Sequence, residues 1–254
     1  MPALRGGASG ESGGSSLRPM DRIFSWPDTE SWKPLLRSFS DRRLSRKRVV
    51  ETLIAEYDGI EVFHACRPEK LLVYYQRGLM LSDSDGVDNL ALKVFFGDEP
   101  SALDVQSLNS AISQIGVRDQ GKLYVSIDLR SLVNRSGHYL IYGSERLLCL
   151  AAALCGDTAH YREKLKKIGT PTIFRAVLHW GSLDDSDIDE LARHVVAELI
   201  AIKKQFNPRV LMCSFILDHA VPPSDLIGHL HPIEIPDPMD GYSLYRMDTL
   251  SVEE

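Results

Sequence analysis

The sequence predicts an α+β fold, and three observations carry that reading. Helix-period and strand-period stretches succeed one another irregularly, without the steady βαβ alternation of a doubly wound sheet. No segment repeats along the 254 residues. Hydrophobic content of 44% and charged content of 25% are those of an ordinary globular chain with ample length for a core.

Residues 1–20, with Gly6, Gly7, Gly10, Gly13 and Gly14 among serines, are expected to be a disordered tail, because they offer too little apolar surface to repay ordering. Residues 21–58 form an aromatic segment and an amphipathic helix expected to pack on the domain. Phe24, Trp26, Trp32, Leu35 and Leu36 are too apolar for a linker. Arg42-Arg43-Leu44-Ser45-Arg46-Lys47-Arg48 then leads into Val50, Leu53, Ile54 and Tyr57 at helical spacing. The basic run reads as the solvated start of that helix. A phosphate- or nucleic-acid-binding patch is the alternative, since cations at a helix N-terminus are unfavourable unless an anion faces them.

Residues 59–245 are read as one α+β domain. Asp58-Gly59 ends the helix and Ile60–Cys66 forms a strand. Arg67-Pro68 opens a helix through Leu71, Leu72 and Tyr75 that stops at Gly78, and Leu79–Leu81 is extended. Asp83 to Gly97 looks irregular, whereas Val105, Leu108, Ile112 and Ile115 mark one face of a helix. Lys122–Asp128 alternates as a strand.

Gly137–Tyr142 reads as a short strand ending at Gly143, with Ser144 as N-cap of an apolar helix that carries Glu145 in its first turn. On a strand Tyr139 and Tyr142 would point to opposite faces, Tyr142 to a cleft and Tyr139 to the core. A connector with Tyr161 and Leu165 leads to a strand over Pro171–Leu178. Asp184, Asp185 and Asp187 open a helix with Ile188, Leu191, Val195, Leu199 and Ile202 on one face and Lys203-Lys204 at its end. Val210–Leu217 reads as a buried strand. A proline turn, Val221–Ile227, precedes the extended His229–Ile235, and the chain is turn-rich from Pro236.

Net charge −6 and a pI near 5.8 speak against a general nucleic-acid or membrane-surface binder, which needs a positive field. No apolar run approaches the ~18 residues of a membrane span, and the N-terminus lacks a secretory segment, so a cytoplasmic location is expected. Cys66, Cys149, Cys155 and Cys213 are widely spaced and read as reduced residues, three of them in apolar surroundings.

Three kinds of chemistry find weak support. His229 and His231 share a strand face, and with His219, Asp218 or Glu234 they would suit zinc, but no metal-ligand spacing accompanies them and no metal is expected. Tyr142-Gly143-Ser144-Glu145 has the form of a nucleophile elbow without G-x-S-x-G. Phosphate-loop and dinucleotide glycine motifs do not occur.

Phe63-His64-Ala65-Cys66-Arg67-Pro68-Glu69, followed by a helix ending Tyr75-Gln76-Arg77-Gly78-Leu79, resembles the first motif of ADP-ribosyltransferase-fold proteins of the His-Tyr-Glu type. Gly137–Ala153 is similar to that family's second motif, and Val221-Pro222-Pro223 with Ile227 resembles the segment after its third strand. The resemblance implies a mixed, split β-sheet with flanking helices. It also implies that the protein binds NAD and cleaves the nicotinamide–ribose bond, passing ADP-ribose to water or to a protein or nucleic-acid acceptor. His64 would bond the adenosine ribose, and Tyr142, or else Tyr139, would stack on nicotinamide. Cys66, Arg67 and Ser144 would complete the NAD surface.

Aligned on the Val-Pro-Pro turn, Ser214 stands where the family's catalytic glutamate is expected, with Asp218 and Glu234 the nearest carboxylates and Glu145 a substitute from the second motif. Glu145 and Tyr142 are therefore the catalytic candidates. The alternative is a catalytically inactive interaction or regulatory module on the same fold, with Trp26 and Trp32 as a docking surface.

Overall fold

A computed structural model describes residues 4–6, 22–39, 44–116, 120–154, 158–201 and 206–247. In chain order the first half contains β1 (Leu4–Gly6), β2 (Ile23–Phe24), α1 (Lys33–Phe39), α2 (Arg46–Glu56), β3 (Gly59–Cys66), α3 (Leu71–Arg77), α4 (Ser84–Phe96), α5 (Ala102–Ile115) and β4 (Leu123–Ser126). The second half contains α6 (Leu129–Asn134), α7 (Gly137–Tyr142), α8 (Glu145–Ala153), α9 (Thr158–Leu165), β5 (Thr172–His179), α10 (Asp185–Ile200), β6 (Ser214–Leu217), β7 (Leu226–Pro232), β8 (Glu234–Asp237) and β9 (Ser243–Arg246).

The fold is α+β, as the sequence predicts. The main sheet runs β1-β7-β5-β3-β4-β6 with antiparallel neighbours, and β2 joins the start of β3 in parallel. β3 pairs β5 along its whole length, from Gly59 opposite His179 to Cys66 opposite Thr172. It meets β4 at a single register pair, Phe63 opposite Ser126, after which the strands part. The sheet is continuous, with β4 and β6 joined to it through this short ladder at one edge.

Alternation along the central strands builds two cores. Ile60, Val62 and Cys66 of β3 and Phe174, Ala176 and Leu178 of β5 face α2, α10 and the N-terminal aromatic segment. Phe63 and Ile173 face the other way, into a layer made by α4, α5, α7, α8 and α9. On α10, Ile188, Leu191, Ala192 and Val195 are buried at the spacing of one helical stripe. Ser45 caps α2, Ser101 and Asp104 form a capping box on α5, and Ser144 caps α8.

The aromatic segment is core. Trp26 and Trp32 are buried edge to face at 4.9 Å. Their indole N–H groups donate to Arg209 and Trp26 carbonyls, both at 3.0 Å. The docking surface imagined for these tryptophans is therefore not available. Arg46 pairs with Asp189 of α10 at 2.7 Å, while Arg42 and Arg43 lie outside the described residues.

Several expectations are corrected. Gly137–Tyr142 is a helix, not a strand: Gly137, Leu140 and Ile141 are buried at one-turn spacing, and a short apolar run does not reveal its period. Asp83–Gly97 is mostly helix α4, whose Val87, Leu90, Ala91, Val94 and Phe95 pack as one stripe beneath a polar face. The Tyr161 connector is α9. Only Ser214–Leu217 of the expected buried strand is a strand, at the sheet edge with Ile216 54% exposed. The turn-rich end folds back as a β8–β9 hairpin. In the tail, Leu4–Gly6 pairs with β7, and the rest of residues 1–20 is outside the described residues. Cys149 is exposed rather than core, and Cys155, Ile202, Lys203 and Lys204 are outside the described residues. Among the described residues no helix is long and apolar enough to cross a membrane.

Removing the Trp32 side chain leaves a large cavity against Phe24, Trp26 and Phe206. Trp32→Ala is expected to lower unfolding free energy by about 3–5 kcal/mol in urea titration. A loss below about 1 kcal/mol would mean that the segment is not core.

Candidate functional site

The end of β3 and the start of α3 position most of the polar chemistry. Arg67 follows the last residue of β3, and its guanidinium is turned inward. It donates to the carbonyls of Ile168 (2.7 Å), Leu140 (3.1 Å), Ile141 (3.0 Å), Lys166 (2.6 Å) and Gly169 (3.0 Å). Its Nη1 also lies 3.5 Å from the Tyr245 hydroxyl. Burial lowers its pKa, opposed by Tyr245, yet an arginine remains charged. Every donor is already spent on the protein, so Arg67 is a clamp rather than a ligand-binding cation.

His64 lies beside the short β3–β4 ladder. One residue past the last β3–β4 register pair, its Nδ1 lies 3.0 Å from the Tyr124 carbonyl of β4. A carbonyl can only accept, so Nδ1 carries the proton and Nε2 presents a lone pair. Burial lowers the His64 pKa, with the bond to Tyr124 pulling the other way, and the ring is neutral near neutral pH.

By strand alternation His64 shares its sheet face with Cys66, and the ladder continues that face across neighbouring strands. His64 is opposite Phe174, and Phe174 opposite His229; Cys66 is opposite Thr172. Tyr74 of α3 stacks on Phe174 at 4.5 Å, and the Tyr75 hydroxyl lies 2.6 Å from His229 Nδ1. Cys66 is buried, hydrogen-bonded with Tyr74, and burial pushes its thiol up to about 12. It is an inert packing group, not a thiolate.

Two of the resembling segments meet here. Leu79 N donates to Val221 O and Val221 N to Leu79 O, each at 2.9 Å. Gly78, at φ 80°, permits this approach, because a Cβ there would lie 1.9 Å from Val221 O.

The second-motif residues are elsewhere. Tyr142 belongs to the opposite core and is 2% exposed, donating to Asp237 at 2.5 Å. Burial, then Asp237, raises its pKa. Tyr142 thus faces the core and Tyr139 is the partly exposed ring, the reverse of the strand-based expectation, because α7 winds where a strand would alternate. Ser144 accepts from Leu147 N as an N-cap. Glu145 is half exposed and pairs with His138 Nε2 at 3.0 Å, and the His138 ring lies 4.1 Å from Tyr139.

The structure therefore gathers His64 and Cys66 on one sheet face and Tyr139, Ser144 and Glu145 at the α7–α8 corner of the opposite layer, with Arg67 clamped between. It does not bring His64 and Tyr142 into one cleft. The sequence reading missed His138, seven residues from Glu145 and linked to it only once α7 is a helix, and it missed Tyr74, Tyr75 and Phe174. His229 and His231 carried a visible signal in their two-residue spacing.

His64 and His229 have folded pKa values below the ordinary ~6.5, His229 through burial first and His231 second. The unfolded chain then binds protons more readily, so their contribution to stability is full above that value and is lost as pH falls through the folded values. Urea midpoints are expected to fall between about pH 7 and 5, less steeply in His64→Gln/His229→Gln; equal slopes would contradict this. No protein-family model matches the chain, and comparison with curated proteins and with solved structures returns no match.

Proposed function

We propose that the protein binds NAD on the sheet face beneath α3. The observation that carries this reading is His64 beside the short β3–β4 ladder, a neutral imidazole fixed through Nδ1 with Nε2 left to accept from a ribose hydroxyl. Beside it, Tyr75 of α3 presents an exposed ring over the buried Phe174, on which Tyr74 stacks, and the Leu79–Val221 bridge holds two of the segments that resemble ADP-ribosyltransferases side by side. The reading is supported by an imidazole acceptor with one exposed aromatic ring on the same sheet face.

Cleavage of the nicotinamide–ribose bond, with ADP-ribose passing to water or to a protein or nucleic-acid acceptor, is a second reading. Glu145 favours it: a carboxylate oriented by His138 beside the Tyr139 ring can oppose the positive charge of an oxocarbenium-like state. It places chemistry at the α7–α8 corner, across the sheet from His64.

Calorimetric titration of the full-length chain with NAD tests the first reading. Saturable binding is expected, weakened about tenfold in His64→Gln, the loss of roughly one hydrogen bond. Absence of binding, or binding unchanged in that variant, would refute it. Nicotinamide release by the wild type that disappears in Glu145→Gln would establish the second reading, and no release excludes it.

A further inference from the structure

We infer that His229 and His231 form a two-imidazole site for a late first-row divalent cation such as Zn2+ or Cu2+. The site shares Tyr75 and its sheet face with the proposed NAD surface, but the argument for it does not rest on NAD being bound there. The residues alternate on β7, so both rings project from one face, with centroids 5.0 Å apart. His231 Nδ1 lies 2.9 Å from Pro171 O and 3.2 Å from Thr172 Oγ1. The carbonyl only accepts, so Nδ1 carries the proton and the lone pair is on Nε2. That Nε2 is buried and has no hydrogen-bond partner.

His229 is arranged in the same sense. Its Nδ1 meets the Tyr75 hydroxyl at 2.6 Å, and metal binding selects the tautomer in which Nδ1–H donates to the phenol oxygen and Nε2 is free. An imidazole oriented through Nδ1–H by an oxygen, with Nε2 open, is the usual pose of a metal ligand and its supporting shell. Burial also leaves a buried lone pair costly unless something occupies it.

The chemistry of the donors sets the cation class. Two neutral nitrogens suit Zn2+, Cu2+ or Ni2+ and not the oxygen-seeking Mg2+ or Ca2+. Among the described residues no group of three or more His, Cys, Asp or Glu surrounds a common point, so the protein supplies two ligands. With two protein ligands the site is open, and binding is weaker than at a closed four-ligand structural zinc centre.

The test uses the untagged full-length chain, titrated with Zn2+ by calorimetry and with Cu2+ by electron paramagnetic resonance. One saturable site is expected, with superhyperfine coupling to two nitrogens. His229→Gln and His231→Gln should each lose it, Tyr75→Phe should bind more weakly at the same stoichiometry, and His64→Gln should bind as wild type. Failure of the wild type to bind either ion, coupling to fewer than two nitrogens, or binding that persists in His229→Gln/His231→Gln would overturn the inference. The nitrogen coupling is read on the wild type and so stands even if a variant does not fold.

Discussion

The architecture depends on the Arg67 guanidinium. A buried cation without a carboxylate is tolerable only if its donors are satisfied, and here carbonyls from α7, the end of α9 and the loop before β5 do so. Two of those carbonyls, Leu140 and Ile141, belong to the last turn of α7, where a cation also complements the helix dipole. The loop closes over the clamp because Gly169, at φ 56°, comes so near that a Cβ would lie 2.4 Å from Arg67 O. One side chain thus fixes the end of β3 against the helical layer. It also decides which groups are kept apart, since α7 is held on the face of the sheet away from His64.

That separation shapes the functional reading. Motif residues adjacent in an idealised dinucleotide cleft are divided here between two layers. The sheet face beneath α3 has the hydrogen-bonding imidazoles and the aromatic rings, and the α7–α8 corner has the carboxylate. Binding and bond cleavage make different demands. Binding asks for shape, stacking and an acceptor, whereas cleavage asks for a negative charge within contact distance of the developing cation. The β3–α3 face has an acceptor imidazole and the exposed Tyr75 ring without Glu145, and NAD binding is accordingly proposed there rather than at the α7–α8 corner.

Much of the scaffold was legible in the sequence. β3 and β5 announced themselves as apolar runs between turn residues, α10 by its stripe and flanking acids, and Ser144 as a cap. The α+β class followed from the irregular order of helices and strands. What stayed hidden had local causes. Gly137–Tyr142 is too short and too uniformly apolar for its period to show. α4 carries Gly86 and several aspartates, whose solvated face masks a regular inner stripe. The Glu145–His138 pair needs α7 to be helical before it exists, and the row His64, Phe174 and His229 joins residues from three strands whose pairing no single stretch encodes.

Hydrogen–deuterium exchange of the full-length chain, with and without NAD, tests the central claim most directly. NAD should slow exchange at residues 64–66, through α3 and around Tyr124, and leave α7 and α8 unchanged. Protection confined to α7 and α8, or no protection anywhere at saturating NAD, would contradict the placement of the ligand beneath α3.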